Sequence, residues 1–175
     1  DSYAHTAHIE KLLSKDIDVK KFLDLIKNYE YALCKVEVPY MPREFPLDYP
    51  LGKDIDILCT QKDFTRICSV AKSFALDYDY QARKVFQDGH FLLRFELKSA
   101  PGKKNFLCFQ IDISVCPDEV IRRRKQAGSY YVLSDKDERQ LRFQEYLKNP
   151  KKIYHLEYFM GGKTPNVICK VRPSI

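Results

Sequence analysis

Apolar residues recur at mostly helical spacing near the start of the chain, within residues 9–29. The positions that carry this pattern are Ile9, Leu12, Leu13, Ile17, Phe22, Leu25 and Ile26. A repeat near 3.6 residues gathers such side chains on one helix face, so we expect one or two helices here. Asp16 or Asp18 is a candidate N-cap for the second helix. Residues 31–38 are then expected to form a strand.

Prolines 39, 42, 46 and 50 predict an ordered loop across residues 39–50, because proline lacks the N–H and fixes φ. The next segment, DIDILC at residues 54–59, alternates polar and apolar positions at its start and is predicted to be a strand. Thr60, followed three residues later by Asp63, predicts the start of a helix. That helix is expected to bury Phe64, Ile67, Val70, Ala71 and Phe74.

A β-rich block follows this helix. Residues 83–87 are expected to pair with residues 91–97 through the turn Asp88-Gly89, which is a strong hairpin signal. Residues 105–113, NFLCFQIDI, would add a third strand to the meander.

The last third of the chain is predicted to be mainly helical. Residues 118–126 are interpreted as a short basic helix. Ser134 with Asp137 predicts the start of another helix that continues to Leu147, where Asn149-Pro150 stops it. Residues 151–160 are expected to form one more helix that ends at Gly161-Gly162.

This order of elements predicts an α+β fold with a mixed, mainly antiparallel sheet and helices on one side. We divide the chain into an N-terminal helical segment (residues 1–29), an α/β core (30–133) and a C-terminal helical appendage (134–175), packed as one compact unit. A chain of 175 residues is long enough to bury a substantial core. Because the sequence opens at Asp1 and not at a methionine, we expect it to be a domain of a larger protein.

Composition narrows the class of protein. Hydrophobic residues at 45% and charged residues at 31% favour a globular domain over a disordered one. No run of about eighteen apolar residues predicts a membrane span. The net charge of +6 suits an anionic partner, although many domains carry such a charge without one. The six cysteines lack zinc-site spacing and indicate a reduced, cytoplasmic protein with structural thiols, with disulfides left open.

The candidate chemistry lies in the DID motif of the predicted strand. Residues i and i+2 of a strand point to the same face, so Asp54 and Asp56 project together while Ile55 and Ile57 face the core. Two like charges this close repel each other unless a cation lies between them. Mg²⁺ or Mn²⁺, which prefer oxygen ligands, would relieve that repulsion.

Asp112 extends this pattern, because it lies between Ile111 and Ile113 near the end of another apolar strand. If the meander pairs with the DID strand, Asp112 lies beside Asp54 and Asp56. Three carboxylates on neighbouring strands suit a site for in-line phosphoryl transfer. The alternative interpretation is an exposed sheet face whose carboxylates are solvated.

The run PLGKDIDILC, a helix, a meander ending in FQIDI, and then YYVLSDKDERQLRFQEYLKNPKK resemble the nucleotidyltransferase superfamily, which includes DNA polymerase β-like transferases. The resemblance covers roughly residues 30–150. It implies that Asp54 and Asp56 bind metal, and that Asp112 completes the triad and helps to deprotonate the acceptor hydroxyl. It further implies a nucleoside triphosphate donor and a hydroxyl-bearing acceptor whose identity the sequence does not reveal.

The sequence departs from that family where the donor phosphates are bound. The family usually has a Gly-Ser or Gly-Gly turn at a helix start before the first aspartate, whereas this chain reads VEVPYMPREFPLDYPLGK. Basic side chains are the substitutes to consider for phosphate contact. The candidates are Lys35, Arg43, Lys53, Arg94 and Lys98. Lost activity is the other explanation of the missing turn.

Three functions therefore stay open. The first is a metal-dependent nucleotidyltransferase, with Asp112 both ligand and general base. The second is a non-catalytic module of the same fold that binds a nucleotide or another protein. The third takes DID as the Asp-x-Asp of a glycosyltransferase, which usually needs a longer parallel-sheet domain before the motif than residues 1–53 supply. His90 is interpreted as a turn-tip residue and His155 as a packed one.

Overall fold

The computed structural model describes residues 17–78, 81–87, 89–97 and 101–161. Within these residues five helices are found: α1 (Val19–Ile26), α2 (Gln61–Leu76), α3 (Asp118–Arg122), α4 (Asp135–Lys148) and α5 (Ile153–Phe159). Seven strands accompany them: β1 (Tyr31–Cys34), β2 (Asp54–Cys59), β3 (Gln81–Gln87), β4 (His90–Leu97), β5 (Phe106–Val115), β6 (Lys125–Ala127) and β7 (Tyr130–Val132). No helix in the described part of the chain is long and apolar enough to cross a membrane.

The strands form one sheet in the order β3-β4-β5-β2-β1-β7-β6. Neighbours run antiparallel except at two places, where β2 pairs with β5 and β1 pairs with β7 in parallel. The predicted α+β fold with a mixed, mainly antiparallel sheet is confirmed. The parallel pairing of β2 and β5 matters most for function, because it brings the DID strand against the strand that carries Asp112.

One face of the sheet carries the main hydrophobic core. Ile55 and Ile57 of β2 are each only 1% exposed and point to the side covered by α1 and α2. The Phe22 ring of α1 lies 5.3 Å from the Phe74 ring of α2, and Phe74 also contacts Phe95 of β4. Burying a side chain of this size contributes roughly 1.5–3 kcal/mol, so these contacts fix α2 against the sheet.

The opposite face is covered only at the β1 side of the sheet. Ala32 and Cys34 of β1 pack there against Ile121 of α3 and Leu133, with Leu141 of α4 at the edge of the cluster. The prediction of helices on one side describes α1 and α2, and the structure adds α3 and α4 on the other face. The second layer stops short of β5, where the sheet face lies beside an open cleft.

The capping predictions are confirmed for two helices. Asp18 accepts a hydrogen bond from the backbone N–H of Lys21 at 2.8 Å and begins α1. Ser134 accepts from the N–H of Asp137 at 3.2 Å and begins α4. The predicted hairpin and third strand are also present as β3, β4 and β5.

Two boundaries were predicted wrongly. The expected helix 118–126 ends at Arg122, because Gly128, with φ +61°, allows residues 125–127 to fold back and pair with β7. The strand expected to continue to residue 38 ends at Cys34, since Lys35 adopts φ +57°. The calls on residues 9–16, Asp88, Lys98 and Cys169 lie outside the described residues, and the three-part division of the chain stays a prediction.

Candidate metal centre

The pairing of β2 with β5 brings the three predicted aspartates together. Asp56 lies directly opposite Asp112, and Asp54 lies opposite Gln110. Because β2 alternates between faces, Asp54 and Asp56 point away from the core that Ile55 and Ile57 enter. One carboxylate oxygen from each of Asp54, Asp56 and Asp112 lies within 4.8 Å of the others. This juxtaposition could hold a divalent metal ion.

The start of β2 is anchored to β5 by a glycine. Gly52 has φ +69°, a left-handed conformation that residues with a Cβ rarely adopt. Its N–H donates to the Cys108 carbonyl at 2.8 Å, and an added Cβ would stand 3.5 Å from the Leu107 carbonyl oxygen. The glycine next to the motif therefore sets the entry of the DID strand beside β5.

Lys35 supplies a positive charge to the carboxylate cluster. Its Nζ lies 2.6 Å from Asp56 Oδ1, and both side chains are largely buried, at 19% and 15% exposure. Burial lowers the pKa of the Lys35 ammonium, but the Asp56 carboxylate more than offsets this, so that the pKa is raised. Lys35 therefore stays charged at neutral pH.

His90 contacts the third aspartate. Its Nε2 lies 2.7 Å from Asp112 Oδ1, close enough for the ring N–H to donate to the carboxylate. The interpretation of His90 as a turn-tip residue is wrong, because the residue begins β4 opposite Ser114 and faces the carboxylates. His155 is packed as expected, at 2% exposure.

The electrostatics of the cluster are those of acids held too close together. Burial raises the pKa of Asp56 from 3.8 to about 6; Lys35 opposes that rise, and Asp54 and Asp112 add to it. Burial likewise raises the pKa of Asp112, against the opposing effect of His90. Lys35 thus neutralises the carboxylates only in part, and the cluster has unused affinity for another cation.

The residues present fit a hard divalent ion. Ligands of Asp54, Asp56 and Asp112 are all carboxylate oxygens, which magnesium and manganese prefer. Their mutual repulsion, seen in the raised pKa of Asp56, is relieved when a cation binds between them. The raised pKa and the shared face therefore point to the same ligand class.

The basic residues predicted for phosphate contact are placed differently from one another. Arg94 lies on the metal face opposite Gln110, but its Nε is 3.2 Å from Glu96 Oε1. Lys53 is exposed, with Nζ 5.5 Å from the centre of the Tyr40 ring. Arg43 is exposed in the proline-rich loop. Lys98 lies outside the described residues.

A cleft of about 350 Å³ opens beside the aspartates, lined by residues that the motif search did not assign to the site. They are Cys34, Lys35, Ile57, Leu58, His90, Ser114, Leu141, Glu145 and Lys148, together with Asp56 and Asp112. Sequence signals existed for only a few of these. Cys34 and Leu58 are apolar-pattern strand positions on the same face as Asp56, whereas α4 reaches the cleft only through tertiary packing.

The turn that usually binds triphosphate has no counterpart in the described chain between β1 and β2. Residues 35–53 contain no helix, so no helix start faces the metal centre from that segment. The departure noticed in the sequence is therefore a structural difference. Lys35, at the beginning of this segment, stands where a cation can meet an anionic ligand.

Comparison with known proteins gives likenesses of fold only. No protein-family model and no curated protein matches the sequence. The fold is similar to that of a "putative nucleotidyltransferase" from H. pylori, with a TM-score of 0.49 and 10% identity over 78% of this chain and 57% of that one. It is also similar to JHP933 from Helicobacter pylori, with a TM-score of 0.48 and 11% identity over 75% of this chain and 56% of that one. This chain thus spans little more than half of their length, and the first of them carries the same superfamily name as the resemblance seen in the sequence.

Proposed function

We propose that this protein transfers a nucleotidyl group from a nucleoside triphosphate to a hydroxyl acceptor, with Mg²⁺ or Mn²⁺ held by Asp54, Asp56 and Asp112. The observation that carries the proposal is the register of β2 on β5, which sets Asp56 opposite Asp112 with ligand oxygens of all three aspartates within 4.8 Å. Such a cluster suits in-line displacement at a phosphorus atom.

Asp112 would act as the general base. In the reaction, a bond forms between the acceptor oxygen and the α-phosphorus while the bond from that phosphorus to pyrophosphate breaks, and Asp112 takes the hydroxyl proton. Its raised pKa favours this role, because a more basic carboxylate takes up a proton more readily. His90, 2.7 Å from Oδ1, would orient the carboxylate. When bound, the metal supplies charge neutralisation at the phosphates and acidifies the hydroxyl.

Phosphate binding is assigned to side chains in this proposal. Lys35, at the edge of the cleft, replaces the missing glycine turn as the nearest positive charge to the aspartates. Arg94, on the same face of the sheet, would contribute after leaving Glu96. Arg43, Lys53 and Lys98 complete the predicted set. A cleft of about 350 Å³ lies within the range of roughly 300–1,000 Å³ typical of small-molecule sites.

The acceptor is the open part of the proposal, and any molecule with an accessible hydroxyl is compatible with it. A cytoplasmic location also belongs to the proposal, since nucleoside triphosphates and free thiols such as Cys34 and Cys59 are found together in that compartment.

The test combines ligand stabilisation with label transfer. Thermal unfolding is followed with each of the four nucleoside triphosphates and several nucleotide-sugars, with and without Mg²⁺ or Mn²⁺, because a ligand of the native state raises the melting temperature. We expect a shift that needs both metal and a triphosphate, and release of pyrophosphate from that triphosphate in the presence of acceptor extracts.

Two variants make the result specific. Asp56→Asn should abolish the metal-dependent shift, whereas Asp77→Asn, an exposed aspartate paired with Lys21, should retain it. A shift with nucleotide-sugars alone would favour a glycosyltransferase. Binding of a triphosphate without pyrophosphate release would favour a non-catalytic nucleotide-binding module, and the absence of any shift would overturn the proposal.

A further inference from the structure

Lys35 has an unusual backbone conformation for a long side chain. Its φ of +57° is the one positive value among the non-glycine residues that the structure describes. L-residues avoid this region because Cβ approaches the backbone. Something outside the local sequence must therefore hold Lys35 in place.

The partner is a carboxylate on α4. The N–H of Lys35 donates to Glu138 Oε1 at 2.9 Å, across a separation of 103 residues. The same oxygen accepts from Arg142 Nε at 2.6 Å, and Glu138 and Arg142 are only 6% and 0% exposed. One buried oxygen thus joins the backbone turn to a buried guanidinium.

Arg142 is fixed in turn on its remaining sides. One of its terminal nitrogens donates to the Glu37 carbonyl at 3.1 Å, which lies two residues beyond Lys35. Its guanidinium lies 4.5 Å from the centre of the Tyr158 ring of α5. The buried pair therefore clamps both ends of the turn that follows β1.

We infer that Glu138, held by Arg142, is a positioning residue that fixes the left-handed turn at Lys35 and thereby directs the ammonium onto Asp56 in the metal centre. The turn determines where the side chain leaves the backbone, and Nζ reaches Asp56 Oδ1 at 2.6 Å. A helix that appeared to be an appendage thus controls the charge balance of the aspartates.

The consequence for the reaction rests on the proposed function. A cation on Asp56 weakens the binding of free metal, because the ammonium and the ion share a carboxylate. The same ammonium attracts the phosphates of a metal–triphosphate complex. Lys35 would therefore favour metal that arrives with a nucleotide over metal alone, and Glu138 would maintain that preference.

The first experiment tests positioning without any metal. Nitrogen-15 NMR detects lysine ammonium groups whose proton exchange is slowed by an ion pair, and Lys35→Gly identifies the signal while leaving the positive φ acceptable. We expect Glu138→Gln to reduce the Lys35 signal at least twofold. Should Glu138→Gln fail to fold, Glu138→Met with Arg142→Met replaces the buried pair by apolar side chains. An unchanged Lys35 signal in the folded variant overturns the inference.

The second experiment is a double-mutant cycle read by Mn²⁺ affinity, measured from the paramagnetic signal of free Mn²⁺. We expect Lys35→Gly to tighten the binding of Mn²⁺ alone by about tenfold and to weaken binding of Mn²⁺ with a triphosphate by about tenfold. Glu138→Gln should change both affinities in the same directions, by less. In the Lys35→Gly background, Glu138→Gln should have less than a twofold effect, since it acts through Lys35.

Ser134→Ala serves as the matched control, because it removes the N-cap of the same helix without touching Lys35. Its Mn²⁺ affinity should equal that of the unmodified protein. An equal effect of Glu138→Gln in both backgrounds would show independent action and overturn the inference. A protein that binds no Mn²⁺ at all would refute the proposed function, and the NMR result would then decide the role of Glu138 by itself.

Discussion

Asp56→Asn is expected to stabilise the metal-free protein at pH 7, although the substitution removes a side chain at the centre of the candidate site. Burial and the neighbouring aspartates raise the pKa of Asp56 from 3.8 to about 6, so the ionised form is disfavoured in the fold. Such a rise corresponds to about 3 kcal/mol at pH values above both pKa values. The side chain is only 15% exposed, so solvent screening reduces this figure little. We expect a net gain of roughly 1–3 kcal/mol, because asparagine hydrogen-bonds less strongly to Lys35 than the carboxylate does.

The sign of the pH dependence follows from which state binds the proton more tightly. The folded state has the higher pKa, so below pH 3.8 the acid is protonated in both states and contributes nothing. Between pH 3.8 and about 6 the unfolded state ionises first, and this group lowers the free energy of unfolding progressively. Above pH 6 the loss is complete. Asparagine does not titrate, so the difference between the two proteins should grow across that window and then level off.

Urea unfolding at pH 4, 5, 6 and 7 in the presence of a chelator measures this difference. For a chain of this length, 1–3 kcal/mol corresponds to a rise in melting temperature of roughly 2–12 °C at pH 7. Asp77→Asn is the control, because that aspartate is half exposed and lies outside the cluster. If Asp56→Asn lowered the free energy of unfolding by more than about 1 kcal/mol at pH 7, Asp56 would be a structural partner of Lys35, and the repulsion argument would be refuted.

Three further predictions concern the same site and the core beneath it. Mn²⁺ affinity should fall as the pH is lowered through about 6, since the ion must displace the proton of Asp56; a calorimetric titration without proton release near pH 5.5 would contradict this. Gly52→Ala should cost about 1–2 kcal/mol in urea unfolding and weaken Mn²⁺ binding, because φ is +69° where β2 begins; unchanged stability would argue against the anchoring role of Gly52. Phe74→Ala should cost about 3–5 kcal/mol, since its ring contacts both Phe22 and Phe95, and a loss below 1 kcal/mol would show that the core refills the cavity.

The parts of the fold that the sequence predicted are those governed by local periodicity. The alternation in DIDILC identified β2 with its bounds and with the faces of its aspartates, because a strand repeats every two residues. The helical repeat after Thr60 identified α2, and Phe64, Ile67, Ala71 and Phe74 are buried as expected. The hairpin at Gly89 was recognisable because a two-residue turn needs a positive φ.

The residues that surround the aspartates could not be predicted in the same way. The position of Lys35 depends on a left-handed turn held by Glu138, and no local pattern relates residues 103 positions apart. His90 was judged from its neighbour Gly89, whereas its function depends on the register of β4 against β5. The short strands β6 and β7 were missed because three-residue strands carry no periodicity, and the basic run beside them favoured a helix.

The same comparison bears on the role of the C-terminal helices. Residues 134–175 were expected to be an appendage, yet α4 supplies Glu138 to the turn at Lys35 and places Glu145 and Lys148 along the cleft. The sheet face that carries the aspartates is covered by α4 at β1 and left open toward β5, so the helix forms one wall of the site. Removing α4 would expose Cys34 and release Lys35 from its positive φ, while the register of β2 on β5 would still bring the three aspartates together. The metal ligands therefore belong to the sheet, and the charge that balances them belongs to the packing of α4.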